Sequence, residues 1–165
     1  MTIRSLAIGQ GEILITPLQL ANQAVVIANK GYYYPPHVVK SVQGKPTRWN
    51  KKQSSIDSQY FETITKGMYR VFQGVSGTGR WYKLENIDIC GKTGTVQNPH
   101  GKDHSLCIAF APAENPKIAI SVVIENAGFG ATWAVPIASL MIEKYLTGKI
   151  SRTELEERMS QANLL

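Results

Sequence analysis

Gly91-Lys92-Thr93-Gly94-Thr95, set between Ile87-Asp88-Ile89-Cys90 and Val96-Gln97-Asn98-Pro99, decides how this chain folds. Two readings compete for it. A phosphate loop needs Gly-x-x-x-x-Gly-Lys-Ser/Thr between a strand and a helix whose first N–H groups point at the phosphate. Counting back from Gly91 puts Asn86 where the first glycine belongs, and Val96-Gln97-Asn98-Pro99 does not open a helix. The phosphate loop fails on both counts. What remains is Lys-Thr-Gly carried on an extended segment, Ile87 to Thr95.

Two more strands follow, Ser105 to Ala111 and Ile118 to Glu125. Asn98-Pro99-His100-Gly101 and Pro112-Ala-Glu-Asn-Pro-Lys117 are short connections rich in turn residues, so the three strands form an antiparallel meander. Leu106–Ala111 and Ile118–Ile124 are nearly continuous in apolar residues, as strands covered on both faces are.

Helices flank the meander. Thr16-Pro17 starts one, with a hydroxyl cap and a proline at the first turn; Leu18, Ala21, Val25 and Ala28 recur at helical spacing, and Gly31 and Pro35-Pro36 stop it. Tyr32 to Tyr34 and Val38 to Val42 read as short extended pieces. A second helix runs from caps near Asp57 and Ser58 through Phe61, Ile64, Met68, Val71 and Phe72 to Gly74. Gly74, Gly77 and Gly79 then read as a mobile loop. After Gly128 and Gly130 a third helix presents Ile137, Leu140, Met141, Lys144 and Tyr145 on one face, with Pro136 in its first turn and Gly148 at its end. Ser151-Arg-Thr-Glu154 reads as a capping box for a polar, loosely attached terminal helix. The plan is α+β: an antiparallel sheet of about three strands packed with helices.

A chain of 165 residues, 43% of them hydrophobic, can bury one substantial core. No apolar run reaches the length of about 20 residues that a membrane span needs. Met1-Thr2-Ile3-Arg4 has no secretory-signal character. The net charge is +6, but the basic residues read as scattered; their densest group, Lys45, Arg48, Lys51 and Lys52, lies beside Pro46, Asn50 and Gln53 in what reads as a solvated loop. Nucleic acid is not the expected partner. Cys90 and Cys107 are too few for a disulfide framework or a zinc site, and both lie in apolar segments.

Three blocks now fall in order. Ile8-Gly-Gln-Gly11 with Thr16-Pro-Leu-Gln-Leu-Ala21, then Lys92-Thr93-Gly94, then Asp103-His-Ser-Leu-Cys-Ile-Ala-Phe-Ala-Pro112 with Ile124-Glu-Asn126 and the Gly128/Gly130 pair, resemble class B penicillin-binding proteins of the elongation type, penicillin-binding protein 2. The resemblance runs to about Gly148. It implies an incomplete transpeptidase fold of the penicillin-binding and serine β-lactamase kind, with residues 1–150 as its C-terminal portion and 151–165 as a polar helical tail.

The resemblance also assigns roles. The family acylates a serine with a peptide ending in D-Ala-D-Ala and passes the acyl group to an amine of a neighbouring strand. Lys92 would supply positive charge facing the serine and the substrate carboxylate. The hydroxyls of Thr93 and Thr95 would bind that carboxylate, and Gly94 would let the ligand backbone lie close. The N–H of Thr95 would be one of two oxyanion donors, a kind of donor whose loss raises the barrier by about 3–4 kcal/mol. Without the neighbouring blocks, Lys92 would read as an edge lysine that discourages aggregation.

The family's Ser-x-x-Lys and Ser-x-Asn are absent; the nearest match, Thr63-Ile-Thr-Lys66, lies inside a different helix. Both elements precede the matched region in the family, so the expectation is a truncated enzyme that does not acylate by itself. No cofactor or metal is implied. The implied partners are peptidoglycan stem peptides and β-lactams in the full-length protein, and a glycosyltransferase of the elongation machinery. The implied location is the periplasmic face of the bacterial inner membrane, through an N-terminal anchor this chain lacks. The family pairs Ile118–Glu125 with an N-terminal strand not present here, so a dimer through that exposed edge is expected. The alternative is a non-catalytic module that uses the same strand to hold a peptide or partner. His104 reads as a tie between loop and strand, Glu125-Asn126 as a turn cap, and Trp81-Tyr82 as packing at a loop base or the lining of a peptide groove.

Overall fold

The computed structural model describes residues 3–163; Met1 and Thr2, where the sequence shows no signal character, lie outside them. In chain order the elements are α1 (Ile3–Ala7), α2 (Pro17–Ala28), β1 (Tyr32–Tyr33), β2 (Ser41–Val42), β3 (Lys45–Pro46), β4 (Lys52–Gln53), α3 (Gln59–Gln73), a 3-10 turn (Arg80–Tyr82), β5 (Cys90–Val96), β6 (His104–Ala111), β7 (Ile118–Ile124), α4 (Ala134–Thr147) and α5 (Thr153–Ser160).

The expected meander is the centre of the molecule. β5, β6 and β7 form an antiparallel sheet in that order, with Lys92 opposite Ile108, Gly94 opposite Leu106 and Ser105 opposite Ile124. Strand alternation sends side chains to two cores. Cys107, Ala109 and Ala111 of β6 join Ile120 and Val122 of β7 and Val135, Ala138 and Ile142 of α4. Phe110 faces the other way, with Ile27 of α2, Phe61 and Met68 of α3, and Cys90. Each buried Phe side chain stabilises the fold by about 1.5–3 kcal/mol. The strands' near-continuous apolar character is thus explained: both faces are covered over much of their length.

α2 begins as expected. The Thr16 hydroxyl accepts from Gln19 N at 3.3 Å, and the Gln19 side-chain Oε1 accepts from Thr16 N at 2.8 Å, a closed capping box with Pro17 at the first turn. Its buried residues are Ala24 and Ile27, whereas Leu18 is exposed. In α3, Phe61, Met68 and Phe72 are buried and Ile64 is not. In α4 the buried side is Val135, Ala138, Ser139, Leu140 and Ile142, while Met141 and Tyr145 face outward. α4 is apolar nearly all round, so periodicity alone does not say which stripe meets the sheet.

The terminal capping box does not form. α5 begins at Thr153 with no side-chain cap. Ser151 instead donates from its N–H to Glu143 Oε1 at 2.9 Å, and its hydroxyl donates to the same oxygen. Arg152 pairs with Glu143 Oε2 at 2.9 Å and donates to Ser139 Oγ at 2.9 Å and to the Tyr82 carbonyl at 3.3 Å. The tail is therefore fastened to α4 and the 3-10 turn by a buried ionic clamp. Residues 37–53 also differ from a plain loop. β2 and β3 are joined through Gln43 and Gly44, both at positive φ (49° and 75°), and β1 pairs with β4 at the base. Thr47 closes the hairpin by donating from its hydroxyl to the Val39 carbonyl at 2.7 Å.

Candidate functional site

Lys92, Thr93, Gly94 and Thr95 lie together on β5, which among the described strands pairs with β6 alone. Strand geometry divides them. Lys92 and Gly94 share one face with Leu106 and Ile108; Thr93 and Thr95 share the other with Cys107 and Ser105. Lys92 is exposed, and its Nζ donates to the Thr93 carbonyl at 2.7 Å. A Cβ at Gly94 would come within 3.2 Å of Leu106 Cβ, so this face of the strand is already tight without a side chain there.

The threonine face is built by two loops. Thr78, on the glycine-rich segment, puts its hydroxyl 3.2 Å from that of Thr93. In such a pair one hydrogen is spent between the two oxygens, and the second hydroxyl keeps its own to give to a ligand. The glycine-rich segment is packed rather than loose: Gly79 N donates to the Val71 carbonyl at 2.8 Å, and Gly77 N to the Gly74 carbonyl at 3.0 Å. A Cβ at Gly77 would sit 2.3 Å from the Val71 carbonyl oxygen. These glycines allow a close approach to the end of α3, which is a different reason from mobility.

The second loop follows β7. Gly130 N donates to the Thr95 hydroxyl at 3.2 Å. The buried Ser105 hydroxyl donates to the Phe129 carbonyl at 3.0 Å and accepts from Ala134 N at 3.1 Å, so it ties this loop to the start of α4. His104 Nδ1 accepts from Asn126 N at 3.0 Å, and Asn98 Nδ2 donates to Asn126 Oδ1 at 2.6 Å. His104 is thus a tie between strand and loop. Trp81 is exposed, with the Arg80 guanidinium 4.6 Å from its ring centre.

Burial pushes the Cys90 thiol up to about 12, with Asp88 adding to the rise. Cys107 also reaches about 12 through burial, opposed by the charge of Lys92. Neither is a nucleophile at neutral pH. Lys66, the lysine of the nearest approach to Ser-x-x-Lys, pairs with Glu62 at 2.7 Å on the exposed side of α3. Among the described residues no group of three or more His, Cys, Asp or Glu side chains is placed to hold a metal ion. The arrangement offers one cation, the hydroxyls of Thr78, Thr93 and Thr95 and, among the described strands, an open strand edge, a set suited to a carboxylate at the end of an extended peptide.

The structure places the four expected residues together on one strand and adds two contacts whose role the sequence did not give: Thr78, which it did not single out, and Gly130, which it named only as one of a glycine pair. The only signal for them was glycine at 77, 79 and 130, and glycine does not say whether it serves motion or close contact.

A family profile described as penicillin binding protein transpeptidase domain matches residues 2–143. The chain is 32% identical to the peptidoglycan D,D-transpeptidase MrdA of Haemophilus influenzae over 91% of its own length and 26% of that protein's. Among solved structures it is similar to Pseudomonas aeruginosa PBP2 in complex with WCK 5153, with a TM-score of 0.75 and 32% identity over 97% of this chain and 35% of that one. It is also similar to an imipenem acyl-enzyme complex of penicillin-binding protein A from Mycobacterium tuberculosis, with a TM-score of 0.77 and 30% identity over 86% of this chain and 33% of that one. The chain spans about a quarter of the length of the curated relatives it matches.

Proposed function

The chain belongs to the penicillin-binding protein transpeptidase family, and from that premise we propose that it is the substrate-strand portion of a serine D,D-transpeptidase of cell-wall elongation. The observation that carries this reading is the edge strand β5, with Lys92 on one face and the Thr93–Thr78 hydroxyl pair on the other. In the whole enzyme a serine from another part of the protein attacks the penultimate D-Ala carbonyl. The carbonyl oxygen gathers negative charge against the Thr95 N–H and the N–H of the serine. The bond to the terminal D-Ala then breaks, and that residue leaves with a proton on its new amine. An amine of a second stem peptide attacks the acyl-enzyme, forms the cross-link and returns the serine. Through these steps Lys92 balances the terminal carboxylate, Thr93 and Thr95 donate to it, and Gly94 leaves room for the peptide backbone.

Three further parts belong to the same reading. This chain alone does not acylate, since it has no Ser-x-x-Lys. The whole protein works on the periplasmic face of the inner membrane, anchored by an N-terminal helix, next to a glycosyltransferase of the elongation machinery. The edge of β7, which no described strand pairs, associates with a second copy when this chain is alone.

Labelling with a fluorescent penicillin tests the proposal, on this chain and on a longer form of the protein that contains Ser-x-x-Lys. Labelling of the longer form only, weakened by Lys92→Ala, is expected. If both forms are folded and neither is labelled, the enzyme reading is wrong and a peptide-binding module replaces it.

A further inference from the structure

The basic residues are scattered along the sequence, but the net positive charge is not: the acidic residues leave one segment uncompensated. Between Glu12 and Asp57 there is no acidic residue, and there are six basic ones: Lys30, Lys40, Lys45, Arg48, Lys51 and Lys52. That segment alone accounts for the whole net charge of +6, so the rest of the chain is balanced. All six side chains are exposed. Five of them lie on the hairpin arm built from β1 to β4, which is based on the end of α2 and the start of α3, where Gly31 lies against Phe61.

The arm has a fixed shape. Thr47 staples its two sides, and Ser54 N donates to the Gly31 carbonyl at 2.8 Å at its root. His37 and Trp49 stack with ring centres 4.5 Å apart and planes 23° apart, and Lys51 lies 3.8 Å from the Tyr32 ring centre. Both rings of the stacked pair remain exposed, next to Arg48. The arm therefore combines flat aromatic surface with cations spaced along an extended hairpin and no competing carboxylate. Its turn, Gln43-Gly44-Lys45, is polar, and the exposed apolar side chains beside it, Val38, Val39 and Val42, are interleaved with Lys40 and Lys45 rather than gathered into a wedge of the sort that enters acyl chains.

We propose that this arm is a docking surface, separate from the Lys-Thr-Gly strand, for an anionic glycopeptide strand of the cell wall. The lysines and Arg48 meet the free carboxylates of the stem peptides, and the His37–Trp49 stack lies against sugar faces. Concentrated positive charge raises the local concentration of such a polymer and speeds its arrival. The inference rests on the transpeptidase reading above.

The test uses the 165-residue chain itself. Purified peptidoglycan sacculi are mixed with it at low ionic strength and pelleted. The chain is expected in the pellet, and salt at about 1 M, where the Debye length is about 3 Å, is expected to release it. Lys45→Glu with Arg48→Glu is expected to cut retention about tenfold. Reversal of Lys83 and Lys149, exposed residues outside the arm, is expected to leave it unchanged. Sacculi whose carboxylates have been amidated are expected to retain little. Lys40→Glu with Lys52→Glu serves as a second arm variant, and thermal unfolding of each variant shows that it is folded. Equal retention of arm and control variants, undiminished binding to amidated sacculi, no pelleting at all, or stronger partition onto phosphatidylglycerol vesicles each overturns the proposal. Penicillin labelling reads the transpeptidase assignment independently, so loss of sacculus binding with labelling intact removes the arm's role and leaves that assignment standing.

Discussion

The backbone N–H of Gly130 meets the hydroxyl of Thr95 at 3.2 Å, and this contact sets how close the loop after β7 comes to the Lys-Thr-Gly strand. The approach is tight. A Cβ at position 130 would lie 2.2 Å from the Gly94 carbonyl oxygen and 2.6 Å from that of Leu106. Both are backbone atoms and cannot swing aside. Gly130→Ala is therefore expected to push the loop off the strand and lower stability by about 2 kcal/mol, the usual range for an overpacked site. Denaturant unfolding reads the loss; an unchanged midpoint would mean that the loop shifts freely.

Glu143 should shape the acid limb of the stability curve. Burial raises its pKa, but hydrogen bonds from Ser151 and Arg152 and the arginine's charge outweigh that and hold the carboxyl below its ordinary value. A group depressed in the fold binds fewer protons there than in the unfolded chain. Its stabilisation is thus complete above the unfolded pKa and lost as pH falls through the folded one. Glu143→Gln leaves Arg152 without its charge partner and is expected to cost about 2 kcal/mol near neutral pH, the range for hydrogen bonds to a charged group. The difference between variant and parent should shrink as pH falls through the carboxylate range. Parallel stability curves for the two proteins would contradict this.

The meander, its order and the position of Lys92 were legible because apolar runs, turn residues and one motif all pointed to the same arrangement. The faces of the helices were less so. α4 carries apolar residues all round, and its sheet-facing stripe depends on which side the strands lie, which local sequence does not encode. Ser151 shows the same limit: it has the spacing of a cap, yet the buried Glu143 takes it. Long-range partners won over local pattern at each of these sites. At the candidate site the strand residues had a motif, whereas Thr78 is 15 residues away from Thr93 with only glycines to mark it.

Thr78 should affect ligand capture through Thr93. Removing its hydroxyl while keeping its shape, as in Thr78→Val, frees Thr93 to rotate away from the ligand. A net hydrogen bond contributes about 1 kcal/mol, which corresponds to a loss of about fivefold. In a longer, acylating form of the protein, the second-order rate of penicillin labelling is the quantity to measure. Thr78→Ser should restore most of it, and an unaltered rate in Thr78→Val would show that Thr93 is held by other means.

Both thiols should be silent in the folded protein. With Cys90 and Cys107 pushed up to about 12 by burial, the thiolate population at pH 8 is very small and access is closed. A thiol-reactive chromogenic disulfide is expected to find no fast-reacting cysteine in native buffer and two in denaturant. Rapid native labelling of either residue would show that the core on that side opens.

The β7 edge is the last feature with a measurable consequence. The sheet order leaves β7 paired only with β6 among the described strands, so no described strand takes the outward backbone donors and acceptors of Ile118–Ile124. Open edges of apolar strands recruit further strands. The neighbourhood adds to the tendency: Ile118 continues into an apolar groove lined by Ile137, Met141, Tyr145 and Met159. A second copy pairing edge to edge would satisfy the backbone groups and cover part of this groove at once. Sedimentation velocity over rising concentration is expected to show a growing dimer. Val123→Lys puts a charge on the edge strand at a position already partly exposed, and is expected to return the chain to monomer without unfolding it. A parent chain that stays monomeric at high concentration and unfolds in one cooperative step would show that the edge is protected in solution and that the pairing does not occur.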